Sequence, residues 1–141
     1  MPRRKIGLTS QSLSFVEHLA FCGQASGLRQ VWSPATDVFE TAEAIVIRME
    51  LAGVRPDEIH IQATESTVVV SGHRADVHRD RNERLHQMEI VSGAFERAIA
   101  LPCAVRPDAA EAHDRDGLLE IVFPKGEPAQ ARTLSIEIHL L

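Results

Sequence analysis

Tyrosine is absent, tryptophan occurs once, and aromatic residues make up only 4% of the 141 positions. So few flat rings leave little to stack on a sugar, which weighs against Glu111 and Glu120 as the paired carboxylates of a sandwich glycosidase. Cysteine is almost as scarce: Cys22 and Cys103 stand far apart and make no CxxC pair. Isolated cysteines of this kind read as small buried apolar residues rather than as a disulfide or metal ligands. Cys103, next to Pro102 and without a surrounding motif, gives no support for a nucleophile. No phosphate loop of the GxxxxGK[ST] type occurs, so nothing suggests nucleotide hydrolysis. Nor is any apolar run long enough for a membrane span. The basic start "MPRRK" is followed by "SLSFVEHLAF", where Glu17 and His18 interrupt what would be the apolar part of a signal peptide. The expectation is a cytoplasmic protein. Its net charge of -5 argues against a general nucleic-acid or anionic-membrane surface.

Seven histidines are present, and His73, His78 and His86 are the densest group. Their spacings fit neither HExxH nor a zinc-finger pattern, so they read as scattered surface residues, with no metal and no cofactor expected. The rest of the composition, 44% hydrophobic and 25% charged, is that of one folded domain with a real core.

Residues 1–31 form an arm distinct from the remainder. "SFVEHLAFCG" fits a short amphipathic helix, with Ser14 and Glu17 at capping-box spacing, Phe15, Val16, Leu19 and Ala20 on one side, and Gly23 as a stop. A frayed tail is the alternative for this arm. From Trp32 the period changes to two. "AIVIRMEL" puts Ile45, Ile47, Met49 and Leu51 on one face, and "AGVRPDE" is a turn. "IHIQATES" and "TVVVSGHR" follow as strands, then the mixed-charge stretch "ADVHRDRNERLHQ". "GAFERAIALP" and "LLEIVFPK" are further strands, each ended by proline, and "AEAHDRDG" supplies a short strand and a turn. No intervening stretch is long enough for a crossover helix, so the class is all-β, an antiparallel immunoglobulin-like β-sandwich.

Two details invite function. Arg97 falls on the same strand face as Phe95, Ile99 and Leu101. A guanidinium there needs a carboxylate or carbonyl partner, and Asp76, Asp80, Glu83 and Glu89 are candidates; at an edge it could instead reach water. The chain also ends in "LSIEIHLL", with Leu134, Ile136, Ile138 and Leu140 on one face, after the loose tether "KGEPAQART". On these residues alone, a terminal strand completing its own sheet is the plainer reading.

"GAFERAIALP" followed by "AHDRDGLLEIVFPK" resembles the signature of the small heat-shock proteins, the α-crystallin domain family. The matching residues are Gly93, Phe95, Arg97, Leu101 and Pro102, then Ala112, Gly117, Leu119, Pro124 and Lys125. "DVFETAEAIVIRMELAGVRPDEIHIQ" is similar to the family's opening strands, with Ala52 where a proline is usual, and "ERLHQMEIVSGAF" looks like the bacterial and plant branch. The resemblance runs over residues 32–125 and implies a sandwich domain there, with 126–141 as a C-terminal extension.

Ile136, Glu137 and Ile138 match the family's Ile-x-Ile element, which implies docking into an apolar groove of a neighbouring subunit. That groove would lie between Ile59–Ala63, with Ile59 and Ile61, and 110–113, with Ala112. Arg97 would support the domain and its dimer contact, and "RLHQM", with Leu85 and Met88, would be a strand exchanged between partners; a solvated loop is the other reading of that stretch. The function implied is an ATP-independent holdase working as a dimer-based oligomer. Its partners would be other copies of itself and unfolded clients met by Phe15, Leu19 and Phe21 or by the groove. It would be no enzyme. A monomeric adaptor like the CS-domain co-chaperones, binding one folded partner, is the alternative.

Overall fold

The computed structural model describes residues 31–76, 84–126 and 133–140. The expected arm helix, with Phe15, Leu19 and Phe21, lies outside the described residues. Among the described residues, alternating β-branched residues and closely spaced turns give nine strands. They are β1 (Thr36–Glu40), β2 (Ala44–Glu50), β3 (Ile59–Ala63), β4 (Thr67–Arg74), β5 (Gly93–Ala100), β6 (Glu111–Arg115), β7 (Leu118–Pro124), β8 (Leu134–Ile136) and β9 (Ile138–Leu140). One sheet runs β1-β2-β7-β6-β9 and the other β5-β4-β3-β8. All pairs are antiparallel except β6 with β9, which corrects the expectation of a wholly antiparallel sandwich.

The core lies between the sheets and is built by the period-two pattern. Ile45, Ile47 and Met49 of β2, with Phe123, Ile121 and Leu119 beside them on β7, pack against Ile61 of β3 and Val68 and Val70 of β4, all buried in one cluster. Val46 points to the opposite face yet is buried too, because Phe39 and Val122 flank it in register. The turn after β2 is made by Gly53 at φ 78° and a single 3-10 turn, Pro56–Glu58. Asp116 and Gly117, at φ 53° and 80°, form the two-residue link between β6 and β7, a backbone conformation that asparagine, aspartate and glycine tolerate. Among the described residues no charged or polar residue is fully buried.

Gly72 of β4 marks the tightest place in the second sheet. A Cβ there would come within 2.3 Å of the Glu58 carbonyl oxygen and 2.7 Å of the Phe95 ring. The absent side chain lets Phe95, on the neighbouring strand, lie flat across β4. Backbone cannot retreat as a flexible side chain can, so Gly72→Ala is expected to destabilise the fold by about 1–3 kcal/mol. Urea unfolding followed by the emission of Trp32, which packs on Phe95 with ring centroids 5.3 Å apart, reads this directly. An unchanged midpoint would show that the close approach is not there.

Candidate functional site

Stacking the two sheets leaves β3 and β6 side by side on one flank. Ile59, Ile61 and Ala63 of β3 and Ala112 of β6 are buried along it. The tail lies along part of this groove. β8 pairs with β3, setting Leu134 across Ala63, Ser135 across Gln62 and Ile136 across Ile61. β9 pairs with β6, setting Ile138 across Ala112, His139 across His113 and Leu140 across Asp114. Glu137, exposed, is the residue at which the chain passes from one sheet to the other. Ile136 and Ile138 are half-buried against the core cluster.

In this single chain the tail pairs with β3 and β6 of its own sandwich, as the residues alone suggested, rather than with a neighbouring subunit. Two details differ from expectation. The alternation suggested one continuous strand, whereas the tail forms two strands of three residues in different sheets. The expected fourth member of the apolar face, Leu140, is 73% exposed. Both follow from the flank's geometry: the tail must cross between two edges, and beyond Ile138 it lies outside the interior.

Half-buried Leu134, Ile136 and Ile138 and two ladders of three residue pairs hold the tail. Against them stands the backbone entropy lost on ordering the segment.

The outward side of β6 carries chemistry that sequence spacing did not reveal. The rings of His113 and His139 lie side by side, centroids 6.2 Å apart and tilted by 44°. Glu111 is 3.6 Å from His113 Nε2. His113 Nδ1 and one carboxylate oxygen of Asp114 are buried without a hydrogen-bond partner. Burial raises the Asp114 carboxyl above its ordinary value. Glu120, across from His113 on β7, accepts a hydrogen bond from Arg48 of β2 at 2.8 Å. Glu111 and Glu120 are thus engaged with different basic groups.

A second region lies around β5 and β1. Arg97 is half-buried, across from Val70, and its Nη1 donates to the Pro34 carbonyl at 3.2 Å. One partner is thus a carbonyl; of the acidic candidates, Asp80 and Glu83 lie outside the described residues. Trp32, not singled out from sequence, anchors the segment before β1. Its backbone N–H donates to Ala94 and its Nε1 to Gly93, while Arg74 stacks on the indole at 4.3 Å and donates to the Val91 carbonyl. This segment covers the edge of β5. Leu85 and Met88 are 69% and 57% exposed, and residues 84–88 form no strand in the single chain. Among the described residues β1 pairs with β2 on one side only, with Val38 and Phe39 partly exposed.

Among the described residues no group of three or more His, Cys, Asp or Glu is placed to hold a metal ion, and no helix is long and apolar enough to cross a membrane. Cys103 is a free thiol.

The model of the Hsp20/alpha crystallin family matches residues 37–139, from β1 into β9. The 16.9 kDa class I heat shock protein 3 of Oryza sativa subsp. japonica is 34% identical over 100 residues, which cover 70% of this chain and 67% of the rice protein. The crystal structure of hspA from Xanthomonas axonopodis matches with a TM-score of 0.64 and 31% identity, covering 71% of this chain and 100% of that one. A small heat-shock protein from Xylella fastidiosa, whose structure is described as revealing a distinct high order structure, matches with a TM-score of 0.62 and 27% identity over 73% of this chain and 94% of that one. With the whole sandwich and its tail inside the match, the chain belongs to the Hsp20/alpha crystallin family, the small heat shock chaperones.

Proposed function

We propose that this chaperone is an ATP-independent holdase of the cytoplasm, built from dimers that assemble further through the tail. The observation that carries the reading is the seating of Ile136 and Ile138 on β3 and β6, in a groove whose occupant is anchored by a few half-buried side chains. Such a tail can leave its own groove for that of a sister chain, and the tether at 125–133 spans at most roughly 30 Å. When the groove is empty, its apolar lining is open to partly unfolded clients. Binding them lowers the free concentration available to aggregate, by mass action and without nucleotide. Phe15, Leu19 and Phe21 of the arm are the second proposed client contact. The Xylella relative's described high-order structure supports assembly beyond a dimer.

The dimer contact proposed is "RLHQM" of one chain added to the free edge of β1 in another. Exposed Leu85 and Met88 on the segment, and exposed Val38 and Phe39 on the strand, support it. Arg97 serves this contact indirectly, because its bond to Pro34 fixes the entry into β1.

Aggregation of heat-labile clients, followed by turbidity, is expected to be suppressed without nucleotide, and light scattering is expected to give a mass well above 15.6 kDa. A particle of monomer mass that protects no client would instead favour the single-partner adaptor. Substituting serine for both Ile136 and Ile138 should shrink the assembly to dimers while leaving the β2–β7 core folded. Retention of full size would rule out the tail as the link between dimers.

Arg97→Gly removes a charge-assisted hydrogen bond and adds a flexible residue in mid-strand. The expected loss is about 1.5–3 kcal/mol, seen as a lower melting temperature together with a smaller assembly. Unchanged melting and unchanged size would contradict the role given to this residue.

A further inference from the structure

We infer that the docked tail carries an acid-sensitive latch: His113 on β6 and His139 on β9 form a cross-strand pair that releases the tail when both rings are protonated. The inference rests on where the tail sits, in the same chain or a sister chain, and not on client binding.

Parallel register puts the two imidazoles on one face of the sheet, 6.2 Å apart between centroids. Two uncharged rings tolerate this closeness and two charged ones do not, and histidine is the side chain whose charge responds to mild acid. Glu111, 3.6 Å from His113 Nε2, gives a first charge a counter-ion. A second charge, on His139, then meets a like charge across the pair. The protonated His113 ring also carries N–H at both nitrogens, and its buried Nδ1 has no acceptor while the tail is seated. Letting β9 leave separates the charges and opens that flank of β6 to water.

The surrounding charges do not cancel this effect. Glu120 of β7 is held by Arg48 of β2, and Arg115, farther along β6, pairs with Asp116. Glu137, two residues before His139, lies where the chain changes sheets. Asp114 alternates to the opposite face of β6, and burial raises its carboxyl. A raised carboxyl makes its buried position more favourable as pH falls, so its sign is opposite to release. Acid loosening of the tail therefore belongs to the histidines.

Amide hydrogen exchange of the full chain, expressed relative to intrinsic rates, tests this, with peptides from β2 and β7 as internal reference. Between about pH 7.5 and about pH 5.5, protection of residues 134–140 is expected to fall about fivefold in the wild type. It should stay level in His139→Gln and in His113→Gln, either of which removes one charge of the pair. In His139→Glu the dependence should invert, since acid then creates an attractive pair with His113. Wild-type protection that does not change, an equal fall in both glutamine variants, or a fall in His139→Glu would each overturn the latch.

Discussion

Two sheets laid face to face bury their side chains well but leave a flank where backbone hydrogen-bonding groups have no partner. In this chain the flank is formed by β3 and β6, and the C-terminal residues close it by extending both sheets at once. An uncovered edge invites pairing with any available strand. A permanently covered one could not be used. The tail settles between these extremes because its apolar content is small: two half-buried isoleucines, with Leu140 left in water. The reversible chemistry proposed for the protein depends on that balance.

The opposite side of the molecule solves the edge problem with different means. Residues before β1 run along β5 and are fixed by the indole of Trp32 and the guanidiniums of Arg74 and Arg97. These contacts join backbone carbonyls to flat N–H donors, so they fix direction without adding to the core. β1 inherits its position from them. It is thin and largely exposed, which suits a strand proposed to gain a partner from another chain.

The buried strands were legible in sequence because burial writes alternation. Ile45, Ile47 and Met49, or Val68 and Val70, leave no other arrangement that hides them together. β1 was legible only through the family resemblance, since an exposed edge strand has no buried face to mark it. Arg97 was placed on the correct face, but its partner Pro34 belongs to a segment far away in sequence, and no pattern announces a carbonyl acceptor. The terminal alternation foretold a strand completing the chain's own sandwich yet not its division at Glu137. Residues two apart look the same in sequence whether they extend one sheet or cross to a second. The pairing of His113 with His139 was invisible for a related reason: register alone brings them together.

Because Ile136 belongs to one sheet and Ile138 to the other, the tail spans the gap between them as a stitch spans a seam. The spacing of the two layers along this flank is thereby matched to the distance between two anchors on one short peptide. A segment whose two anchors were set closer or farther apart could not reach both layers at their present spacing, so the width of the flank is tied to the length of the stitch.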